Sequence, residues 1–236
     1  MRQAACGLAF SLFAAAGAWG GSFQVGPVSA TLSADHPVAA LTVRNTGADP
    51  AVIQLEPMAW SQANGKDTYV PAADILATPP IFTVAPGASQ VLRIGSRTAG
   101  TQGERAYRLF LREIPPPPKP GFHGMRMALE ISLPVFVVPS TPIAPLLQWQ
   151  ATMADAGHLR IRLTNEGSAH ARLTRFRLVR ASATTPLPLS GKTVYVLPGA
   201  SHEWLVDAAV ASGDNLHLTA QTESGTVQAD LVVATR

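Results

Sequence analysis

Six histidines, His36, His123, His158, His170, His202 and His217, are the side chains best suited to acid–base or metal chemistry, and their spacing argues against both. No two stand at i, i+4, and none joins a carboxylate cluster at ligand spacing, so the bland reading is surface and turn histidines. The sequence has no Gly-x-Ser-x-Gly elbow, no phosphate-cradling Gly-x-x-x-x-Gly-Lys and no dinucleotide fingerprint opening a helix. A triad of distant Ser, His and Asp is a spatial arrangement and stays open. Catalysis, a cofactor and a metal are not expected. The only cysteine, Cys6, lies in an N-terminal segment that reads as a signal peptide: Met1-Arg2, an apolar run from Ala4 to Ala18 too short to span a bilayer, then Ala18-Trp19-Gly20, with small residues at its first and last positions, before Gly21-Ser22. Export would leave a chain without thiols, which excludes cysteine nucleophiles and cysteine-based zinc sites.

The remaining charged residues point to surface rather than chemistry. Of 18 basic residues 15 are arginine, and they are spread along the 236 residues, giving a net charge of +3 without a basic tail. Arg160, Arg162, Arg172, Arg175, Arg177 and Arg180 would project from strand faces. They read as the solvated side of a sheet or, less simply, as a polyanion site, and no interleaved aromatics would stack a base. Nucleic acid is not an expected partner. No later apolar run is long enough to insert the mature chain in a membrane.

The elements that position these residues are short. Apolar or alternating runs closed by turn residues recur at Ser29–Leu32, Val38–Arg44, Ala51–Trp60, Gln90–Ile94, Tyr107–Ile114 and Met125–Val138. They recur again at Leu159–Thr164, Ala171–Arg180, Thr193–Leu197, His202–Val206, Asn215–Thr222 and Gly225–Val233. One helical turn is expected near Ala72–Leu76. The halves echo each other: Asn45-Thr46-Gly47 matches Asn165-Glu166-Gly167, and Pro86-Gly87-Ala88-Ser89 recurs as Pro198-Gly199-Ala200-Ser201. Two related β-sandwiches explain the echo, with chance likeness of turns as the alternative. The expected division is a signal peptide over 1–20, a first domain over 21–139, a proline-interrupted joint over 140–145 and a second domain over 146–236.

One segment looks functional. Tyr107–Ile114 runs into Pro115-Pro116-Pro117-Pro118-Lys119-Pro120-Gly121, a stiff solvated lead-in, and a new strand follows. Along it Met125, Met127, Leu129, Ile131 and Leu133 share one face. Five bulky apolar residues at period two ordinarily make a core face, whereas two leading methionines suit a surface that must fit a partner.

Together with Ala77-Thr78-Pro79-Pro80, the Phe82–Ser89 stretch and Leu133-Pro134-Val135-Phe136-Val137, these residues resemble the periplasmic chaperones of the chaperone–usher pilus pathway, closer in wording to the archaic or alternative branch. The resemblance runs from Phe23 to Pro139 and thins over the second half. It implies an all-β protein of two immunoglobulin-like β-sandwich domains in a boomerang arrangement, located in the periplasm, performing no chemistry. It also implies partners: pilus subunits lacking a last strand, filled by donor-strand complementation, and an outer-membrane usher. The donor strand would present Met125, Met127, Leu129, Ile131 and Leu133. Members of the P-pilus and type 1 branch hold the subunit's C-terminal carboxylate with an arginine and a lysine, whose positions here carry Ser29 and Pro134. A replacement anchor is expected among Arg112, Arg108 and Arg93, Arg112 foremost as it approaches the proline-rich joint's side of the sheet. Val138 replaces a basic residue, so no interdomain ion pair is assumed for Glu113. The rival readings are an exported structural or adhesive two-domain protein that is itself assembled, and an exported hydrolase on a sandwich scaffold.

Overall fold

The computed structural model describes residues 23–98, 102–117, 127–155, 157–189 and 193–235, and among them every regular element is a strand. The signal-peptide reading of residues 1–20 lies outside the described residues. The first half contains β1 (Phe23–Gly26), β2 (Ala30–Leu32), β3 (Val38–Asn45), β4 (Ala51–Ala63), β5 (Lys66–Pro71), β6 (Ile75–Thr78), β7 (Ile81–Val84), β8 (Ser89–Ser96), β9 (Arg105–Ile114) and β10 (Glu130–Val137). They form a four-stranded sheet, β1-β3-β8-β6, facing a six-stranded sheet, β2-β10-β9-β4-β5, with β7 also on β4. Period-two alternation decides which residues meet between the sheets. Leu41, Val43, Leu92 and Ile94 from one sheet meet Ile53, Leu109, Leu111 and Val135 from the other.

The second half contains β11 (Leu147–Met153), β12 (His158–Asn165), β13 (Ala171–Arg180), β14 (Pro186–Leu187), β15 (Val194–Val196), β16 (Ser201–Asp207), β17 (Asn215–Thr222) and β18 (Gly225–Ala234). Their ladder is continuous, β14-β13-β17-β18-β11-β12-β16, with β15 on β13, around a core that includes Leu159, Ile161, Leu173 and Leu218. Because β18 pairs with both β17 and β11, the second domain supplies its own closing strand.

The expected helical turn at Ala72–Leu76 is absent: Ile75 is buried between the sheets and heads β6, so tertiary packing overrode the local alanines. The repeated turn motifs have a common physical cause. In the first domain the amide of Asn45, 1% exposed, donates to Asp49 O at 2.8 Å and Val84 O at 2.9 Å and accepts from Gly47 N at 2.8 Å. Its backbone carbonyl accepts from Gly87 N. Asn165 repeats this in the second domain, donating to Ala169 O at 2.8 Å and Val196 O at 2.9 Å and accepting from Gly167 N and Leu146 N. Gly199 N reaches the Asn165 carbonyl as Gly87 N reaches that of Asn45. Gly87 and Gly199 both have positive φ, which a glycine adopts without penalty. A buried asparagine ties one strand end to two turns in each domain.

Asn165 also seats the joint. Leu146 N donates to its Oδ1 at 3.1 Å, while Ser168 N and Glu166 N bond to Ala144 O and Leu146 O. A Cβ on Gly167 would lie 2.3 Å from Leu146 N, so the chain passes here only over glycine.

Asn165→Ala leaves two buried carbonyls and two amides without partners, and should lower the unfolding free energy of the second domain by about 3 kcal/mol. A urea midpoint equal to that of the unaltered chain would refute this account of the repeat.

Candidate functional site

The strand of interest, β10, is paired on only part of one side. Along its β9 side the antiparallel register is complete, from Glu130↔Arg112 to Val137↔Arg105. On the other side β2 runs parallel and, among the described residues, reaches only Val135–Val137. Which groups this leaves open follows from the ladder. Glu113 N donates to Leu129 O at 2.9 Å, so Leu129, Ile131 and Leu133 turn their main-chain groups toward β9. Glu130 and Ser132 then turn theirs outward. Val138 N donating to Leu32 O fits the same alternation. Pro134 carries no N–H, which ends the run of free donors just before β2 begins.

Side chains follow the same parity. Val137, Val135 and Leu133 lie in the first-domain core, Ile131 and Leu129 are partly buried against it, and Met127 is 63% exposed. One apolar row therefore runs from the core at Leu133 to solvent at Met127. Leu133 is 5% exposed and belongs to the chain's own core, so it is not presented to a partner. Met125 lies outside the described residues, as does the end of the polyproline lead-in. Among the described residues the expected strand from Met125 is regular from Glu130, and its pairing extends to Leu129.

This segment is held firmly. The Glu113 carboxylate accepts from Leu129 N at 3.0 Å, a role at the sheet's far end from the second domain rather than between domains. Arg112 bridges three strands, pairing with Glu56 on β4 and, at 2.6 Å, with Glu130 on β10. Those hydrogen bonds raise the guanidinium's pKa, Glu130 contributing most.

The outward face of the same sheet meets the second domain. Trp60 and Phe136 are buried in the cluster that forms the second domain's core. Phe136 stacks on His170, ring centroids 3.5 Å apart at 5°. The His170 Nδ1 lies 2.9 Å from the Glu104 carboxylate, whose side chain is 2% exposed, and His170 N donates to the same group at 2.8 Å. Gln62 donates to Tyr195 O and accepts from Leu197 N, both at 2.9 Å. Asp67 orders the aromatic seat, accepting from Trp60 Nε1 at 2.9 Å, from Gln62 Nε2 at 2.8 Å and from the Tyr69 hydroxyl at 3.1 Å. Burial raises the pKa of Tyr69, with Asp67 adding to it, and burial likewise pushes His202 down.

The three arginines expected as anchors are not brought together. Arg93 is exposed on β8, in the other sheet. The expectation that Arg112 approaches the joint is overturned by the register: Arg105 stands opposite Val137 near the joint, and Arg112 stands opposite Glu130 at the far end. Arg112 is also already neutralised by two carboxylates. Arg108 stands directly across from Pro134. Its guanidinium lies 4.1 Å from the Trp60 ring centroid and 5.1 Å from that of Tyr195, and its Nε is buried with no hydrogen-bond partner among the described residues. Exposed Ser29 lies one step before the Ala30↔Val135 pairing, on the other side of Pro134. A cation absent from Ser29 and Pro134 is thus present one strand further across. Sequence reasoning missed the seat of Trp60, Gln62, Glu104, Phe136, His170 and Tyr195, whose partners are over thirty residues apart and leave no local signal.

Residues 22–142 match the family of pili and flagellar-assembly chaperones described by the PapD N-terminal domain. Among solved structures, similarity covers 91% of this chain and 99% of a chain in the CsuC–CsuE chaperone–tip adhesion subunit pre-assembly complex from the archaic chaperone–usher Csu pili of Acinetobacter baumannii. The identity is 22% and the TM-score 0.67. The SafB chaperone complex with the SafA pilin of Salmonella enterica aligns at 18% identity and TM-score 0.61, over 89% of this chain and 96% of that one. The E. coli chaperone DraB aligns at 19% and 0.59, over 89% and 98%. These likenesses are of fold. No curated protein matches the chain in sequence.

Proposed function

The chain belongs to the family of pili and flagellar-assembly chaperones, and on that premise we propose that it captures pilus subunits in the periplasm by lending them the open edge of β10, then passes them to an outer-membrane usher. The single observation that carries this reading is the half-paired strand: main-chain groups at Glu130 and Ser132, without partners among the described residues, lie beside an apolar row that continues the core outward through Ile131, Leu129 and Met127. An added strand satisfies those groups, and the row fills a groove left by a missing strand. Each apolar side chain so buried contributes roughly 1.5 to 3 kcal/mol, less the cost of ordering it. The work is binding alone, with no bond made or broken.

Pro134 explains why an anchor is needed beside it. A partner strand reaching this point meets a residue without a donor, and β2 blocks further pairing. A chain ending here presents a carboxylate, and Arg108 is the nearest guanidinium across the ladder. An unpaired carboxylate is costly to bury, whereas a charge-assisted pair restores that loss. Arg108 is therefore the proposed anchor in place of Arg112 or Arg93.

Leu129→Glu sets a charge in the groove-filling row and should abolish subunit capture. Because Leu129 also touches the core, Met127→Glu, at an exposed position, is the companion variant; both are checked by circular dichroism and subunit co-purification. Folded variants that still capture subunit would remove the donor-strand assignment.

Arg108→Ala should weaken capture roughly ten- to a hundredfold, as expected for loss of a hydrogen-bonded charge pair. Arg93→Ala should leave it unchanged. A folded Arg108→Ala protein with unaltered subunit affinity would contradict the anchor.

A further inference from the structure

We propose that Met127 is an oxidant-responsive site, at which conversion of its thioether to the sulfoxide withdraws the donor face from use until the sulfoxide is reduced. The consequence for capture rests on the donor-strand reading, whereas the selectivity of oxidation does not. The chain has five methionines, Met1, Met58, Met125, Met127 and Met153. Of the three described, Met58 and Met153 are partly buried and Met127 is 63% exposed. The only thiol, Cys6, lies within the N-terminal segment expected to be removed, so no cysteine in the exported chain competes for oxidant.

The oxidant is a hydroperoxide. With hydrogen peroxide the sulfur lone pair attacks one peroxide oxygen, the S–O bond forms as the O–O bond breaks, and the attacked oxygen passes its proton to the departing hydroxide, which leaves as water. Sulfur loses two electrons and the peroxide gains them. A methionine sulfoxide reductase returns two electrons from thiols and releases the oxygen as water.

The site is placed where this matters. Met127 leads the row that continues through Leu129 and Ile131 into the core, and no charged side chain shares that row. A sulfoxide is a strong acceptor, and a groove shaped for apolar side chains offers it no donor. The unoxidised side chain, flexible and polarisable, suits a row that must adapt to its partner. A captured subunit covers Met127, so oxidation acts on the free chaperone.

The test uses the full mature chain with Met125→Leu, which removes the neighbouring thioether, and compares it with Met125→Leu/Met127→Leu. Both are purified free of subunit, treated with limiting hydrogen peroxide, mapped by peptide mass spectrometry and then assayed for capture of a denatured pilin subunit diluted into the sample, each against its own untreated form. The first protein should gain one oxygen at Met127 before Met58 or Met153 and lose roughly tenfold or more in capture, recovering on treatment with sulfoxide reductase. The second should keep its own untreated level. Oxidation of Met58 or Met153 ahead of Met127, or equal losses in the two proteins, would overturn the proposal. Selective oxidation at Met127 without loss of capture would overturn the switch and leave the exposure argument standing. Failure of the underlying donor-strand reading is recognised separately, by untreated folded Leu129→Glu protein that still captures subunit.

Discussion

A strand in a sheet has two rows of hydrogen-bonding groups, and β10 is placed where the protein satisfies only one of them in full. Everything else about the candidate site follows from that imbalance. A long unpaired edge invites indiscriminate association, and proteins usually blunt it. Here the edge is kept short instead. Pro134 removes a donor and β2 closes the strand from Val135 onward, so the free run is confined to the end that leaves the sandwich. The edge is also kept stiff: β9 pairs with it throughout, the Glu113 carboxylate caps Leu129, and Arg112 ties Glu130 to Glu56 across three strands. A backbone held straight loses little entropy when a partner strand is added, which lowers the cost of capture and leaves adaptation to the side chains.

The second domain bears on the site through the opposite face of the same sheet. Trp60, Gln62, Arg108 and Phe136 belong to strands of the first domain, yet they pack on or bond to residues of the second. The joint itself is clamped by the Asn165 turn. An interface of buried aromatics, a buried carboxylate and two amide hydrogen bonds fixes how the two sandwiches meet. Arg108 sits at that meeting, its guanidinium lying over the rings of Trp60 and Tyr195. A cation so confined has few orientations to lose on binding an anion.

Much of this was legible in the sequence because it is local. The paired Asn-x-Gly and Pro-Gly-Ala-Ser motifs announced two related domains, and the structure gives them one mechanism, a buried asparagine that joins a strand end to two turns. The alternation leading to Leu133 announced a strand with one apolar face. Alternation alone carries no depth, however, and so it could not say that Leu133 is core while Met127 stands in solvent. Register was equally hidden. Arg112 was expected on the joint's side of the sheet, and antiparallel pairing puts it at the opposite end of β9, across from Glu130. The short strand Leu147–Met153 has a readable alternation that the prolines before it obscured, whereas β5 has no buried side chain and forms only because β4 is there to pair with it.

The most direct test of the account is amide hydrogen exchange, residue by residue along β10, in the free protein and in its complex with a co-expressed pilin subunit. In the free protein the amides of Leu129 and Ile131, bonded toward β9, should exchange slowly, and those of Glu130 and Ser132 should exchange fast. Binding should slow Glu130 and Ser132 sharply and change Leu129 and Ile131 little. Capture of a subunit with no new protection at Glu130 and Ser132 would contradict the claim that this edge is what the chaperone lends.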